Sequence, residues 1–337
     1  MPLTVSELPL PRHQAVRLAF FNHKGGVGKT TITANVAFAL ARARKRVLLV
    51  DSDPQCNLTS YLVDEEVVDD LLDSSDGANG RTLWSALKPV IEGAGPPTAV
   101  APFERSNNLF LLPGDIRLAE FENELYTLWG ECFQRKIRGF RGVVALSQLV
   151  NQTAHRYQAD YVLYDSGPNI GSLNRAVLLD CDYFAIPAAC DVFSLRAIST
   201  LGHTLSSWIQ LWSTVVDLAP TNLYLLPGQP CFIGYIPQRF RVYADRPAKE
   251  FAAFLPRIER TIQADLVEVL ARINTRLVPK LSTLKLGEVK DLGTLATAAQ
   301  VAGVAVSDAR SGTSEQRRSA EHSFDELANT IIQRTRP

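Results

Sequence analysis

The sequence predicts an α/β fold, a mostly parallel, twisted sheet flanked by helices on both faces. Three observations predict it. The apolar run Arg17-Leu-Ala-Phe-Phe21 passes directly into a glycine-rich loop and then a helix. A second run, Val47-Leu-Leu-Val50, ends in Asp51. A third, Tyr161-Val-Leu-Tyr164, ends in Asp165. An apolar strand closed by an aspartate is how an open α/β sheet sets a carboxylate at its C-terminal edge, where such sheets bind ligands.

The loop Asn22-His-Lys-Gly-Gly-Val-Gly-Lys-Thr-Thr31 is a phosphate cradle. Gly25, Gly26 and Gly28 carry no side chains, so backbone N–H groups around Val27 can turn inward on an anion. Lys29 supplies charge toward β and γ phosphates, and Thr30, followed by Thr31, offers a hydroxyl to Mg²⁺. The next helix is marked by Ile32, Val36 and Leu40 at helical spacing, and its N-terminus adds positive potential. A general P-loop has glycine where His23 stands. His23 is either a base or a loop residue beside the phosphates. Lys24 is the unusual member, a second lysine at the front of the loop.

Lys24-Gly-Gly-Val-Gly-Lys-Thr30 has the deviant Walker A form, and at this point the chain resembles the ParA/MinD family of ATPases, a P-loop NTPase fold. Arg46-Val-Leu-Leu-Val-Asp-Ser-Asp-Pro-Gln-Cys-Asn-Leu-Thr59 looks like the family's second strand and switch I, with Cys56 where the family has glycine. Asp160-Tyr-Val-Leu-Tyr-Asp-Ser-Gly-Pro168 looks like Walker B and switch II, with Gly167-Pro168 where two prolines are common. Asn108-Leu-Phe-Leu-Leu-Pro-Gly114 and Asp182-Tyr-Phe-Ala-Ile-Pro-Ala-Ala-Cys-Asp-Val-Phe-Ser-Leu195 resemble further strands. The likeness is firm over 17–60 and 108–200 and weak over 60–107 and 215–337.

The chain has 337 residues, 46% hydrophobic and 21% charged, with 35 basic against 35 acidic side chains. That is a globular composition with no global basic character, so any nucleic-acid contact has to come from a local patch. Five scattered cysteines without a Cys-x-x-Cys argue for reduced thiols, not disulfides or zinc. No apolar stretch is long enough to span a bilayer and the N-terminus does not read as a signal peptide, so a cytoplasmic location is expected.

The expected organisation is an N-terminal arm over 1–15 and a single ATPase domain over 16–337. The early P-loop leaves no room for an N-terminal helix-turn-helix domain of the kind some relatives carry. Residues 61–107, acidic and then rich in Gly, Pro, Ser and Asn, read as a mobile insertion. Residues 115–157 read as mostly helical, and Arg135-Lys-Ile-Arg-Gly-Phe-Arg141 is either a phosphate grip or a solvated helix end. A long helix is expected from Ser194 to Leu218, with Leu195, Ile198, Leu201, Leu205, Ile209 and Leu211 on or near one face, a stripe that serves core or dimer packing. Cys231-Phe-Ile-Gly-Tyr-Ile-Pro237 reads as a late strand and 249–275 as an amphipathic helix, opening a divergent, helical C-terminal part over 240–337. Val301-Ala-Gly-Val-Ala-Val306 resembles the family's last short strand, and 314–334 reads as a closing helix with Phe324, Leu327, Ile331 and Ile332 inward.

The resemblance implies roles. Thr30 and Asp165 hold Mg²⁺, with Asp51 supporting the metal shell. Asp53 orients the attacking water. Lys24 reaches the phosphates of a partner subunit in an ATP-bound homodimer, so Lys24, Lys29 and Asp53 are the catalytic set. Asn174 is a further candidate at that interface, and adenine contacts are expected from 235–239 and 291–297. A ParB-like or other stimulating partner is implied, and nonspecific DNA is expected on Arg239, Arg241, Arg246 and Arg257, which would make the protein nucleoid-associated. Competing readings are a MinD-like membrane-cycling ATPase, which the C-terminal helix does not favour, and a ParA-like regulator of phage defence or conjugation. A cluster-carrying redox member is disfavoured because Gly167–Ser172 has no cysteine. A single P-loop separates the chain from the two-P-loop arsenite pumps.

Overall fold

The computed structural model describes residues 12–240, 242–243, 246–247, 249–278, 280 and 282–336. Ten strands and thirteen α-helices are described, and eight of the strands form one sheet. Its centre is β1 (Val16–Phe20), flanked by β5 (Tyr161–Asp165) and β6 (Tyr183–Ala189). Beyond β5 lie β2 (Val47–Asp51), β4 (Leu109–Leu112) and the edge strand β3 (Phe103–Ser106); beyond β6 lie β7 (Cys231–Phe240) and β10 (Val289–Lys290). Every pairing is parallel except β3 with β4. A separate hairpin joins β8 (Val242–Tyr243) and β9 (Arg246–Pro247).

Side-chain alternation divides the core into two layers. Ala19, Leu48, Val50, Val162 and Tyr164 face one layer; Leu18, Phe20, Val47, Leu49 and Leu163 face the other. Both ends of the period-two pattern are apolar because helices cover both faces. On the first face pack α4 (Leu83–Ile91), α5 (Leu118–Phe133), α6 (Ile137–Val143), α7 (Ala145–Arg156), α8 (Ser172–Asp180) and α9 (Val192–Leu218), which contribute Leu87, Leu125, Leu149, Val177 and Leu205. On the second, α1 (Lys29–Arg42) contributes Ile32, Val36 and Leu40, beside Leu58 and Leu62 of α2 (Asn57–Leu62). Phe324, Leu327 and Ile331 of α13 (Ser314–Arg334) join the same layer.

Several expectations need correction. Segment 61–107, expected as a mobile insertion rich in loop residues, carries regular structure: α3 (Glu65–Asp73), α4 and β3. The missed signal is a capping box at α4, where Thr82 accepts from the Ser85 N–H and Leu83, Trp84, Ala86, Leu87 and Val90 follow at helical spacing. Residues 301–306 are not a strand; they end α12 (Thr294–Ala302) and enter a short 3-10 turn, and the last sheet strand is β10. Leu211 of α9 is 42% exposed, and Trp208, Trp212 and Val215 take the inner face there. The 249–275 helix is three pieces: α10 (Lys249–Ile262), a π-turn at Gln263–Val267 and α11 (Glu268–Ile273). The π-turn meets α9 at Gly202, where a Cβ would lie 1.8 Å from the Asp265 carbonyl oxygen.

Beneath the sheet centre, Arg17 is fully buried. Its guanidinium bonds Asp180 at 2.6 Å, Ser147 at 3.0 Å and Asn151 at 2.9 Å, while Tyr164 donates to the same Asp180 at 2.5 Å. This network ties β1 and β5 to α7 and α8.

Candidate nucleotide site

Parallel register assembles the site. In the β2–β5 ladder Asp51 stands opposite Asp165, so two carboxylates separated by over a hundred residues end neighbouring strands at one height. Ser52 locks this edge, its N–H and hydroxyl both donating to the Asp165 carbonyl at 2.9 and 2.6 Å. The loop after β1 rises beside them. Gly26 and Gly28 have φ of +69° and +74°, a region in which a side chain is strained, and a Cβ on Gly28 would lie 2.4 Å from Gln238 Oε1. Glycine at 28 therefore meets two demands at once. Helix α1 starts at the next residue with no acidic side chain in its first turn, leaving its N-terminal N–H groups to an anion.

The two loop lysines point to different places. Lys29 is 7% exposed and its ammonium turns back into the loop, donating to the Asn22 carbonyl at 2.9 Å. Burial lowers its pKa against the attraction of Asp165 and Asp53. A cation so desolvated, with one neutral acceptor, suits an incoming phosphate. Lys24 instead leaves the loop for the start of α9, where it pairs with Asp191 and donates to Ser194 Oγ at 3.1 Å. Burial, then the Lys29 charge, lower the His23 pKa, and its Nδ1 is buried without a partner.

Thr30 Oγ1 donates to Asp165 Oδ2 at 2.7 Å, while Asp165 Oδ1 is buried and has no partner. Burial pushes the Asp165 carboxyl well above the usual range and the Asp51 charge adds to this, against the Thr30 hydrogen bond and Lys29. Asp51 is raised likewise by burial, against two bonds from Thr59, N–H at 2.7 Å and hydroxyl at 2.6 Å. An orphaned buried carboxylate oxygen beside a hydroxyl, among like charges, fits a divalent cation. Among the described residues no three His, Cys, Asp or Glu side chains form a metal cluster. Magnesium needs no such cluster, since it is held by one or two protein ligands plus phosphate and water rather than by a protein cage. Thr30 and Asp165 are the fitting pair; the Oδ2 of Asp51 is engaged by Thr59.

Asp53 is 5% exposed and receives the Gln55 N–H at 3.0 Å. Across from it is Gly167, whose Cβ would lie 3.2 Å from Asp53 Oδ1, so the segments that follow β2 and β5 touch here. Cys56 has φ of +55°, the conformation for which glycine is the relaxed choice, which accounts for the family's glycine at this place. Asn174 is turned inward, its amide donating to the carbonyls of Gly167 and Asn169 at 2.9 and 3.0 Å; it braces the loop after β5 instead of projecting outward. Glu122 of α5 fills the space a Cβ on Gly171 would need and accepts hydrogen bonds from the Leu173 N–H and Asn169.

Three residues escaped the sequence reading: Asp191, Glu122 and Gln238, the last lying in the 235–239 segment, 4% exposed, with a buried Nε2 that has no partner. An Asp before a helix is legible as a cap; its meeting with Lys24 is not. Of the basic residues expected on DNA, Arg241 and the side chains of Arg239 and Arg246 lie outside the described residues. Arg257 is exposed on α10, its guanidinium 4.9 Å from the Phe254 ring centre.

A glycine-bounded loop opening a helix, a buried lysine and a Thr–Asp pair at the edge of a parallel sheet define a P-loop nucleotide-binding protein. The sequence pattern of the AAA-domain family matches residues 16–216. The chain belongs to that family and is a ParA/MinD-type member of it. It is similar to the sporulation initiation inhibitor protein Soj of Bacillus subtilis, 34% identical over 194 residues, covering 56% of this chain and 64% of Soj. To the chromosome partitioning protein ParA of Myxococcus xanthus it is 33% identical over 190 residues, 55% of this chain and 56% of that one. In both cases the match spans less than two thirds of the relative. Among solved structures, protein DIP2308 of Corynebacterium diphtheriae superposes with a TM-score of 0.70 at 25% identity, over 95% of this chain and 98% of that one. An ATP complex of Cyanothece McdA superposes with a TM-score of 0.62 at 17% identity, over 95% and 97%, which speaks to the fold alone.

Proposed function

We propose that the chain is a Mg²⁺-dependent ATPase that works as a dimerising switch for DNA partition or cargo positioning. The observation that carries this is the divergence of the two loop lysines. Lys29 turns into its own cradle, whereas Lys24, from the same loop, holds its ammonium outside it, at the partly exposed start of α9. A lysine that does not serve its own cradle is available to a second subunit.

In this reading Lys29 and the α1 N-terminus bind the β and γ phosphates, and Thr30 and Asp165 hold the metal. Bound magnesium neutralises charge on the phosphoryl group during transfer. Asp53 orients the attacking water, and Gly167, packed against it, sets how closely switch II approaches. Lys24 of each subunit acts on the phosphates of the other, as an arginine finger does, so turnover is slow until dimers form and a partner protein stimulates it. Nonspecific DNA binding belongs to the same reading, with Arg257 as its described candidate, as does a cytoplasmic location. The MinD-like alternative is not favoured by α13, which spends its apolar residues on the core, with Phe324, Leu327 and Ile331 buried.

Sedimentation with and without Mg-ATP tests this. The wild type should become dimeric with ATP and revert with ADP. Lys24→Ala should still bind ATP yet remain monomeric and without turnover. A Lys24→Ala protein that hydrolyses ATP at the wild-type rate contradicts the proposal.

A further inference from the structure

We propose that Asp191 is a positioning residue that holds Lys24 within its own subunit until a second copy of the chain engages, making release of this ion pair a step in dimerisation. The inference rests on the reading of Lys24 as a residue that acts on the partner's phosphates.

The two oxygens of Asp191 have separate duties. Oδ1 accepts the Ser194 N–H at 2.8 Å, the N-cap of α9, and Oδ2 receives the Lys24 ammonium. Partial burial raises the Asp191 pKa, but the bonds from Lys24 and the Ser194 N–H outweigh it, so the carboxyl is held below its usual range. Ser194, fully buried, offers its hydroxyl to Lys24 as a second acceptor. The backbone is prearranged for this contact. The Lys24 N–H donates to Asn22 Oδ1 at 3.0 Å, and the Asn22 amide donates to the Pro187 carbonyl at 2.8 Å, on the strand that leads to Asp191.

An ammonium at a helix N-terminus is electrostatically misplaced, because that end of α9 is itself positive. The Asp191 charge is what makes the location tolerable. Once that charge is neutralised, nothing but one hydroxyl holds Lys24 there. The pair is also breakable: Lys24 is 24% and Asp191 41% exposed, and ion pairs in such settings are worth a factor of about 1.5 to 5 in an equilibrium. Val192 and Phe193, next in the chain, are 48% and 72% exposed, so a body that covers them arrives beside the contact.

Asp191→Asn is the informative variant, since asparagine caps a helix as well as aspartate but carries no charge. Its protein concentration for half-dimerisation in Mg-ATP should fall about 2- to 5-fold, and basal turnover should rise by a similar factor. ATP affinity of the monomer and the thermal midpoint should stay as in the wild type. Ser194→Ala, which keeps the backbone cap, should shift dimerisation the same way by less. A wild type that dimerises while both variants match it, or dimerise less, overturns the role of Asp191 alone. A wild type that stays monomeric with ATP overturns the dimer reading and this inference together.

Discussion

Thr30 Oγ1 donates to one oxygen of Asp165 at 2.7 Å and leaves the other, Oδ1, buried and bare. The contact joins the first turn of α1 to the tip of β5. This arrangement works against stability, because Asp165 is buried beside Asp51, and the Thr30 hydrogen bond and the Lys29 charge offset that only in part.

The sign of the pH effect follows. The folded pKa of Asp165 lies above its reference of 3.8. Its contribution therefore favours the folded state at low pH and is lost as pH rises through the raised folded value. Asp165→Asn keeps an acceptor for Thr30 and removes the charge. It should stabilise the nucleotide-free protein by about 1–3 kcal/mol at pH 8, on the scale of about 1.4 kcal/mol per pKa unit, and by less at pH 5, while weakening Mg-ATP binding. Urea midpoints at the two pH values check this. Equal shifts at both would refute it. Mg²⁺ affinity of the wild type should rise from pH 6 to pH 8, since binding displaces a proton.

Lys29→Ala should abolish measurable nucleotide binding, with Kd raised at least 100-fold, about 2.7 kcal/mol. The free protein should change little in stability, because relief of the ammonium's burial offsets the lost attraction to Asp165 and Asp53 and the bond to the Asn22 carbonyl. Calorimetric titration and a melting curve on one sample report both. A large fall in melting point would show that Lys29 is structural.

Asp53→Ala should leave a stable ATP dimer whose turnover is reduced about 100-fold or more, the scale for losing a group that manages the attacking water. Single-turnover hydrolysis alongside sedimentation separates the two readouts. Normal hydrolysis would remove Asp53 from the catalytic set.

Arg17 and Asp180 form a fully enclosed pair, 0% and 2% exposed. Removing either partner strands a buried charge, so Arg17→Met or Asp180→Asn should cost about 3–5 kcal/mol. Burial opposes but the Arg17 charge depresses the Asp180 pKa, so its contribution is present above the unfolded value and fades as pH falls through the folded one. Denaturant unfolding of the single and double variants measures the coupling.

Arg257→Glu should weaken nonspecific duplex binding in ATP at low salt and reduce the dependence of log K on log salt by about one contact's worth. Absence of any wild-type binding at low salt would sink the DNA reading.

Much of the site was legible because its parts are contiguous. Gly26, Gly28, Lys29 and Thr30 sit within five residues, and the chemistry of a phosphate cradle requires that adjacency. Helix α4 was missed because its glycine- and proline-rich flanks masked a capping box, and 301–306 was misassigned because small apolar residues fit a helix end as well as a strand. On α9, Leu211 and Trp212 are both apolar neighbours, and packing, not pattern, decided which one turns inward.

The sequence alone determined the α/β class, the cradle and the two aspartate-ended strands, since local backbone geometry and periodicity are set by residues near one another. The tertiary structure decided which distant groups share a location: Asp51 opposite Asp165, Gln238 against Gly28, and Lys24 on Asp191 across 167 residues. Those meetings depend on strand order and parallel register. They arise when two core layers close over one sheet, a condition that no short stretch of chain carries in its own residues.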